Sequence, residues 1–330
     1  MVTSKDVARE AGVSQASVSR VLNDSPLVTD ALRERVLAAV ARTGFSLNSQ
    51  AQAMRTRRSG AIGLLTSDIR NPYFPLLLDE LTRAANDRGV RTIVWDDRTS
   101  DGRDAVRGLA SGAVDGLILT SVRMPLDDVH AVSQLGAPYV FCNRAPEDAD
   151  ADVVMADHEA LVYTATSHVL SLGRTELGAI FGSQDSVATP LRRRGFDRAL
   201  EQCGIEVPPT HIRNGETTYE GGFRCASEMW DDGCGVSTLV CGSDVIAWGA
   251  IDALRTRGIR VPEDVWVVGA DGLPQSGWAA FDLTTVAQDI PRIAQRSVER
   301  LLARINGDTQ PPQREIVPAE LVVRGSTAGR

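Results

Sequence analysis

Gln15, Ala16, Ser19, Arg20 and Asn23 share one arc of a helical wheel turned at about 100° per residue, within the stretch SQASVSRVLND (14–24). The arc offers amide, hydroxyl and guanidinium groups and contains no acid, which suits a polar, anionic partner. Val18, Val21 and Leu22 lie on the opposite arc at i, i+3, i+4 and form an apolar docking face. Serine and asparagine are indifferent helix formers, so an ordinary solvated face is the competing reading of this stretch.

Catalytic and metal chemistry find little support. The sequence has no GxGxxG, no P-loop and no GxSxG elbow. His158-Glu159-Ala160-Leu161-Val162 opens like HExxH but lacks the second histidine, and EDADAD (147–152) lacks the glycine and terminal glutamate of an EF-hand loop. The four histidines, at 130, 158, 168 and 211, have no triad spacing. Cys142, Cys203, Cys225, Cys234 and Cys241 form no CxxC pair, so buried free thiols are expected in place of disulfides or a zinc site. The chain is therefore expected not to be an enzyme and to need no cofactor or metal.

Composition narrows the class further. The chain has 330 residues, of which 43% are hydrophobic and 24% charged, values typical of a globular protein of two or three domains. No apolar run approaches the roughly 20 residues of a membrane span, and residues 1–30 lack a signal-peptide core, which points to a cytoplasmic location away from membranes. The net charge of −8 is unevenly spread: residues 1–58 hold nine Lys/Arg against five acids, a local +4 that leaves −12 on the rest. A small basic head on an acidic body directs only the head toward a polyanion.

The elements that position the polar arc can be read locally. Residues 4–11 fit a short helix with Val7, Ala8 and Ala11 inward. Gly12-Val13-Ser14 breaks it, Ser14 caps a second helix over 15–22, and Thr29 caps a third that carries Leu32, Val36, Leu37 and Val40. Two short helices joined by a glycine-containing turn match the helix-turn-helix, whose second helix enters the DNA major groove.

From residue 61 the pattern becomes alternating strands (61–66, 91–95, 116–120, 139–142, 177–182, 237–241, 265–270) and helices (73–88, 103–111, 126–135, 157–171, 190–203, 219–231, 244–257). That alternation predicts parallel sheets covered by helices, and about 270 residues suggest two doubly wound lobes.

The motifs KDVAREAGVS, SVSRVLN and VTDALRERVLAAVARTGF, followed by IGLL with NPYF, GFDRALEQCGI, VPEDVWVVGAD, LTTVAQD and ELVVRGST, resemble the lactose-repressor/galactose-repressor (LacI/GalR) family along the whole chain. The resemblance implies an N-terminal all-α helix-turn-helix head (1–47), a hinge helix or linker (48–59), and an α/β periplasmic-binding-protein-like core of two lobes (60–330) that binds an effector and dimerises. It implies a transcriptional regulator, usually a repressor, bound to a pseudo-palindromic double-stranded operator as a homodimer and controlled by a small, sugar-like effector. A nucleoside or purine effector, control by a partner protein, and transcriptional activation stay open.

Carried onto this sequence, the resemblance puts Gln15, Ala16 and Arg20 at base-reading positions, with Arg20 suited to bidentate contact with guanine. Ser14, Ser17, Ser19 and Asn23 suit phosphate contacts, which position without specifying. In the hinge, Asn48, Ala51, Met54 and Arg55 are implied minor-groove residues: Met54 stands where the family has a leucine wedge, and Gln52 replaces the usual arginine. In the cleft the implied effector residues are Tyr73, Phe74, Asn143, Arg192, Ser243 and Asp271, with the aromatic ring stacked on the ligand. Ser243 stands where the family has an asparagine, and Ala188 where it has a serine or threonine, which shortens the hydrogen-bonding reach at both positions.

Overall fold

The computed structural model describes residues 2–22, 25, 27–45, 58–66, 69–96, 102–120, 132 and 136–328. The chain forms two compact units, residues 1–59 and 60–330.

The first unit holds α1 (Ser4–Ala11), α2 (Gln15–Leu22) and α3 (Asp30–Thr43). Asp6 Oδ2 anchors the first turn of α1, accepting from the backbone N–H of Thr3 (3.0 Å) and from its hydroxyl (2.7 Å). Gly12, at φ +63°, ends α1 in the left-handed conformation that a side chain disfavours. Ser14 Oγ then accepts from Ser17 N at 3.1 Å and starts α2. Thr29 occupies the corresponding place before α3, but its carbonyl, not its hydroxyl, takes the first helical bonds from Leu32 N and Arg33 N.

Val7, Ala8, Ala11, Val18, Val21, Val36 and Ala39 form the core, with Leu22, Leu32, Val40 and Phe45 packed around it. Leu37 departs from expectation: it is 50% exposed, because it turns about 100° away from the Leu32–Val36–Val40 line.

The second unit has two sheets. In the first lobe, β1 (Ala61–Thr66), α4 (Tyr73–Asn86), β2 (Arg91–Asp96), α5 (Arg103–Ala110), β3 (Leu117–Leu119) and β4 (Tyr139–Cys142) follow the expected order, and β5 (Asp152–Ala156) is added to it. The sheet order is β11-β5-β4-β3-β1-β2, with β11 (Arg314–Val317) supplied late in the chain. The second lobe contains α6 (His158–Ser171), β6 (Leu177–Phe181), α7 (Ala188–Cys203), β7 (Ile212–Asn214), α8 (Tyr219–Asp231), β8 (Thr238–Cys241), α9 (Asp244–Thr256), β9 (Trp266–Asp271) and β10 (Thr284–Gln288). Its order is β12-β10-β9-β8-β6-β7, and β12 (Ala319–Val322) runs antiparallel to β10 while the other described pairings of both sheets are parallel. Strands β1, β3, β5, β6, β8 and β9 are buried along their whole length, which explains their unbroken apolar runs.

The chain passes between the lobes three times. It leaves the first sheet after β5 for α6, returns after β10 through α10 (Ile290–Ile305), and crosses again between β11 and β12 at Pro318. Helix α10 packs on β4, β5 and α4 of the first lobe. Asp157 and Asp289 stand at the first two crossings and cap the helices that follow, accepting from Glu159 N and Ala160 N (2.9 and 3.0 Å) and from Arg292 N (3.0 Å).

Strands β5, β7, β10, β11 and β12 and helix α10 go beyond the sequence expectation. Strands β7, β11 and β12 are short or half-exposed and β10 is rich in buried threonine, so the apolar signal of these four is weak. The acidic run at 147–152 leads directly into β5. Its last residue, Asp152, is buried against Arg304 (2.6 Å) and the backbone N–H of Gln313 (2.8 Å). The helix expected over 126–135 lies, Val132 apart, outside the described residues.

Candidate functional site

On the head, Ser14, Gln15, Ala16 and Arg20 are exposed, and Ser17 and Ser19 are half-buried beside them. The surface has internal order: Gln15 Nε2 donates to Ser4 Oγ at 2.9 Å, and the hydroxyls of Ser14 and Ser17 are bonded to each other at 2.9 Å. Arg42 on α3 is paired with Glu10 on α1 at 2.8 Å, tying together the two helices that support α2. Asn23 and the hinge residues Asn48, Ala51, Met54 and Arg55 lie outside the described residues.

In the body, a small cleft is lined by Asn71, Tyr73, Asn143, Arg144, Arg192, Thr217, Asp271 and Gln288. Seven of these stand at or just past carboxyl ends of strands: Asn71 and Tyr73 after β1, Asn143 and Arg144 after β4, Thr217 after β7, and Asp271 and Gln288 at the ends of β9 and β10. Parallel α/β sheets bind ligands at that edge. Its volume in this conformation is about 10 Å3, far below the roughly 300–1,000 Å3 of most ligand pockets, because the lining side chains are bonded to one another.

Arg192 and Asp271 form the centre. Arg192 Nη2 donates to Asp271 Oδ1 at 2.5 Å, Arg192 Nη1 donates to the carbonyl of Gly242, and both side chains are more than nine-tenths buried. Gln288 Nε2 donates to the same Asp271 oxygen at 2.8 Å, while Tyr73 O–H donates to Gln288 Oε1 at 3.1 Å across the lobes. Burial, first of all, pushes the Tyr73 phenol well above its usual range, so it acts as a neutral donor. Asn143 and Asp271 are non-glycine residues at positive φ (72° and 126°), the kind of backbone strain that collects at functional sites.

Two expected residues lie elsewhere. Phe74 is 2% exposed in the hydrophobic core, edge-on to Tyr73, with the Arg144 guanidinium 5.5 Å from its ring centre. The ring is therefore covered by packing and by a cation, and it presents no face to the cleft. Ser243 is fully buried at the start of α9, where its hydroxyl accepts from Ile246 N at 3.4 Å. That stretch reaches the cleft through the neighbouring carbonyl of Gly242, which receives Arg192.

Beneath the cleft, Asp244 is fully buried and accepts from Leu273 N (2.7 Å), Ser276 Oγ (2.8 Å) and Thr285 Oγ1 (2.5 Å). Burial, followed by the charge of Asp271, raises its carboxyl to about 6. Of the cleft lining, sequence reasoning missed Asn71, Arg144, Thr217 and Gln288. Asn71 and Gln288 lie inside quoted motifs, NPYF and LTTVAQD, but nothing in a linear reading joins residues over 200 positions apart.

A helix-turn-helix head on a two-lobed α/β body with a polar cleft between its lobes defines the class of DNA-binding proteins built on a periplasmic-binding scaffold. Residues 3–48 match the bacterial regulatory proteins of the lacI family, and residues 59–324 match the periplasmic binding proteins and sugar binding domain of the LacI family. The transcriptional regulator MalR of Streptomyces coelicolor is 33% identical over 335 residues, covering 98% of this chain and 96% of that protein. The solved structure of the lac repressor dimer bound to operator and the anti-inducer ONPF is 29% identical, covers 99% of both chains and superposes with a TM-score of 0.87. A structure of the regulator CelR in complex with cellobiose is 30% identical, covers 99% of this chain and 100% of that one, and gives a TM-score of 0.75.

The chain belongs to the LacI family of DNA-binding transcriptional regulators. Among the described residues, no helix is long and apolar enough to cross a membrane, and no three His, Cys, Asp or Glu are grouped to hold a metal ion.

Proposed function

We propose that this chain is an operator-binding repressor, active as a homodimer, whose DNA affinity is set by a compact polyhydroxylated effector held in the cleft of its body. In this reading the head (1–47) reads DNA, residues 48–59 order on the operator, and the body (60–330) binds the effector and dimerises. Gln15, Ala16 and Arg20 read bases, and Ser14, Ser17, Ser19 and Asn23 contact phosphates. Asn48, Ala51, Met54 and Arg55 meet the minor groove, where Met54 acts as an apolar wedge.

One observation carries the effector assignment. Arg192 Nε and Asn143 Oδ1 are buried in the cleft residues without a hydrogen-bond partner, one a donor and the other an acceptor. Buried polar atoms left unpaired are costly, and hydroxyl groups supply both complements. Phe74 is buried and offers a stacking face to neither a sugar nor a purine, so the sugar reading rests on these two polar atoms.

The test has two arms. Thermal-shift measurements on the whole chain compare D-ribose, D-glucose and cellobiose with adenosine, since a ligand at about 100 times its Kd stabilises by about 2.7 kcal/mol. Selection from a random duplex library then gives the operator, and the stabilising ligand is added to the complex. Stabilisation by sugars with a change in operator affinity is the expected outcome. Stabilisation by adenosine alone, or selected duplexes without two-fold symmetry, contradicts the proposal.

A further inference from the structure

His158 belongs to neither the expected site nor the lining of the cleft, yet it connects the two lobes. It is 1% exposed and lies one residue past the first crossing, at the start of α6. Its Nε2 is 2.8 Å from the carbonyl oxygen of Asn143 in the first lobe, and its Nδ1 is 3.3 Å from Arg192 Nη2 in the second. From Arg192 the chain of bonds continues through Asp271 and Gln288 to Tyr73. It thus leaves the first lobe at Asn143 and re-enters it at Tyr73.

The partners dictate the state of the ring. A carbonyl can only accept, so Nε2 carries the proton, and a guanidinium can only donate, so Nδ1 keeps its lone pair. An imidazolium has no acceptor to offer Arg192. Burial first, and then the charges of Arg192 from α7 and Arg144 from the end of β4, hold His158 well below its ordinary titration range. Of the acids around it, Asp271 is bonded to Arg192, the adjacent Asp157 accepts from Glu159 N and Ala160 N, and Glu159 is paired with Arg198 and Arg194.

We infer that His158 is a positioning residue of the cleft, holding the Arg192 guanidinium and the backbone of Asn143 in one arrangement that couples closure of the lobes to the ligand-facing groups. The strained backbone of Asn143, at φ +72°, supports this. Its carbonyl is tied to His158 and its N–H to Val154 O at 2.9 Å, and without the histidine one of those two restraints is gone. A core histidine satisfied within one element has no need of partners in both lobes. The inference draws its functional meaning from the cleft reading above, but its geometry requires no bound ligand.

The experiment therefore uses the full chain with no ligand. His158→Gln keeps one flat donor and one acceptor, whereas His158→Leu keeps volume without either. By hydrogen exchange with mass spectrometry, His158→Leu is expected to speed exchange tenfold or more around residues 141–145 and 242–246, with the rest of both sheets unchanged. His158→Gln is expected to stay within about threefold of the parent. In nitrogen-15 spectra of histidine-labelled parent chain, the signal missing from His158→Gln is expected to report a neutral Nε2–H ring down to pH 5.5, with Nδ1 shifting in Arg192→Gln. Protonation of that ring near its ordinary value, or equal exchange in the Gln and Leu variants, overturns the inference. Should the leucine variant fail to fold, the parent spectra and the glutamine variant still decide. Since no ligand enters, a failure here leaves the effector reading to be judged by the Asp271 variant described below.

Discussion

The head and the body keep the side chains proposed to meet their partners in opposite places. On the head, Gln15, Ala16 and Arg20 stand exposed on one helix, five residues apart at most, over a core of valines and alanines. In the body, Tyr73, Asn143, Arg192, Asp271 and Gln288 are buried or nearly so and come from four strand ends and a helix, spread over more than 200 positions. The difference follows from the partners. A DNA duplex is too large to enclose, so the head offers a surface whose contacts are made in water. A small molecule can be enclosed, and enclosure strengthens each polar contact but requires each buried group to be matched.

An ion pair in each region makes the contrast concrete. Arg42–Glu10 joins two helices of the head at 2.8 Å with side chains 57% and 44% exposed. Arg192–Asp271 lies at 2.5 Å with side chains 9% and 7% exposed. Exposed pairs are screened and contribute about 0.2–1 kcal/mol, whereas removing one partner of a buried pair costs about 3–5 kcal/mol because the other charge is stranded.

The largest expected effect comes from separating the regions. A fragment of residues 59–330 should retain its fold and lose specific DNA binding, a change of about 10³-fold or more at fixed salt by fluorescence anisotropy. Specific binding by that fragment would erase the division of labour. Next, Asp271→Ala should cost the body about 3–5 kcal/mol in chemical denaturation and abolish the effector response, with operator affinity unchanged under conditions where the chain is folded. Retained response would move the effector out of the cleft.

Arg20→Ala should leave stability untouched and relax operator discrimination by about 1–3 kcal/mol, measured as the affinity ratio between the selected operator and single-base variants. An unchanged ratio would reassign the base readout. The smallest effect is expected for Arg42→Ala, within about 1 kcal/mol of the parent in the same denaturation assay, and a larger loss would show that the head depends on this clamp more than its exposure implies.

The same contrast explains what could be read from the sequence. The three head helices begin and break at Gly12, Ser14 and Thr29, where the sequence places their boundaries, because capping and helical spacing are local signals. The alternation of the body and the strands β1, β3, β4, β6, β8 and β9 were equally legible, whereas the interior strands β5 and β10 were not. The edge strands β11 and β12 were not, since half-exposed four-residue strands carry little apolar periodicity. Of the cleft, Tyr73, Asn143, Arg192 and Asp271 come together around one space. Phe74 and Ser243 do not, since an aromatic ring and a small hydroxyl are readily absorbed by core packing and helix capping. His158 was passed over because a truncated HExxH invited a catalytic question, while its partners lie in a loop carbonyl and a distant arginine.

The crossing at Pro318 has a consequence for how the molecule is made. With β11 on the edge of one sheet and β12 on the edge of the other, both lobes take their last strand from the same nine residues near the end of the chain. Neither sheet can be completed while the ribosome is still translating the preceding 313 residues. Domains commonly fold one after another as they emerge, but here the two lobes must wait for each other and finish together. A nascent chain stalled before Arg314 would expose an unpaired edge on Asp152–Ala156 and another on Thr284–Gln288, two templates for pairing with a neighbouring chain.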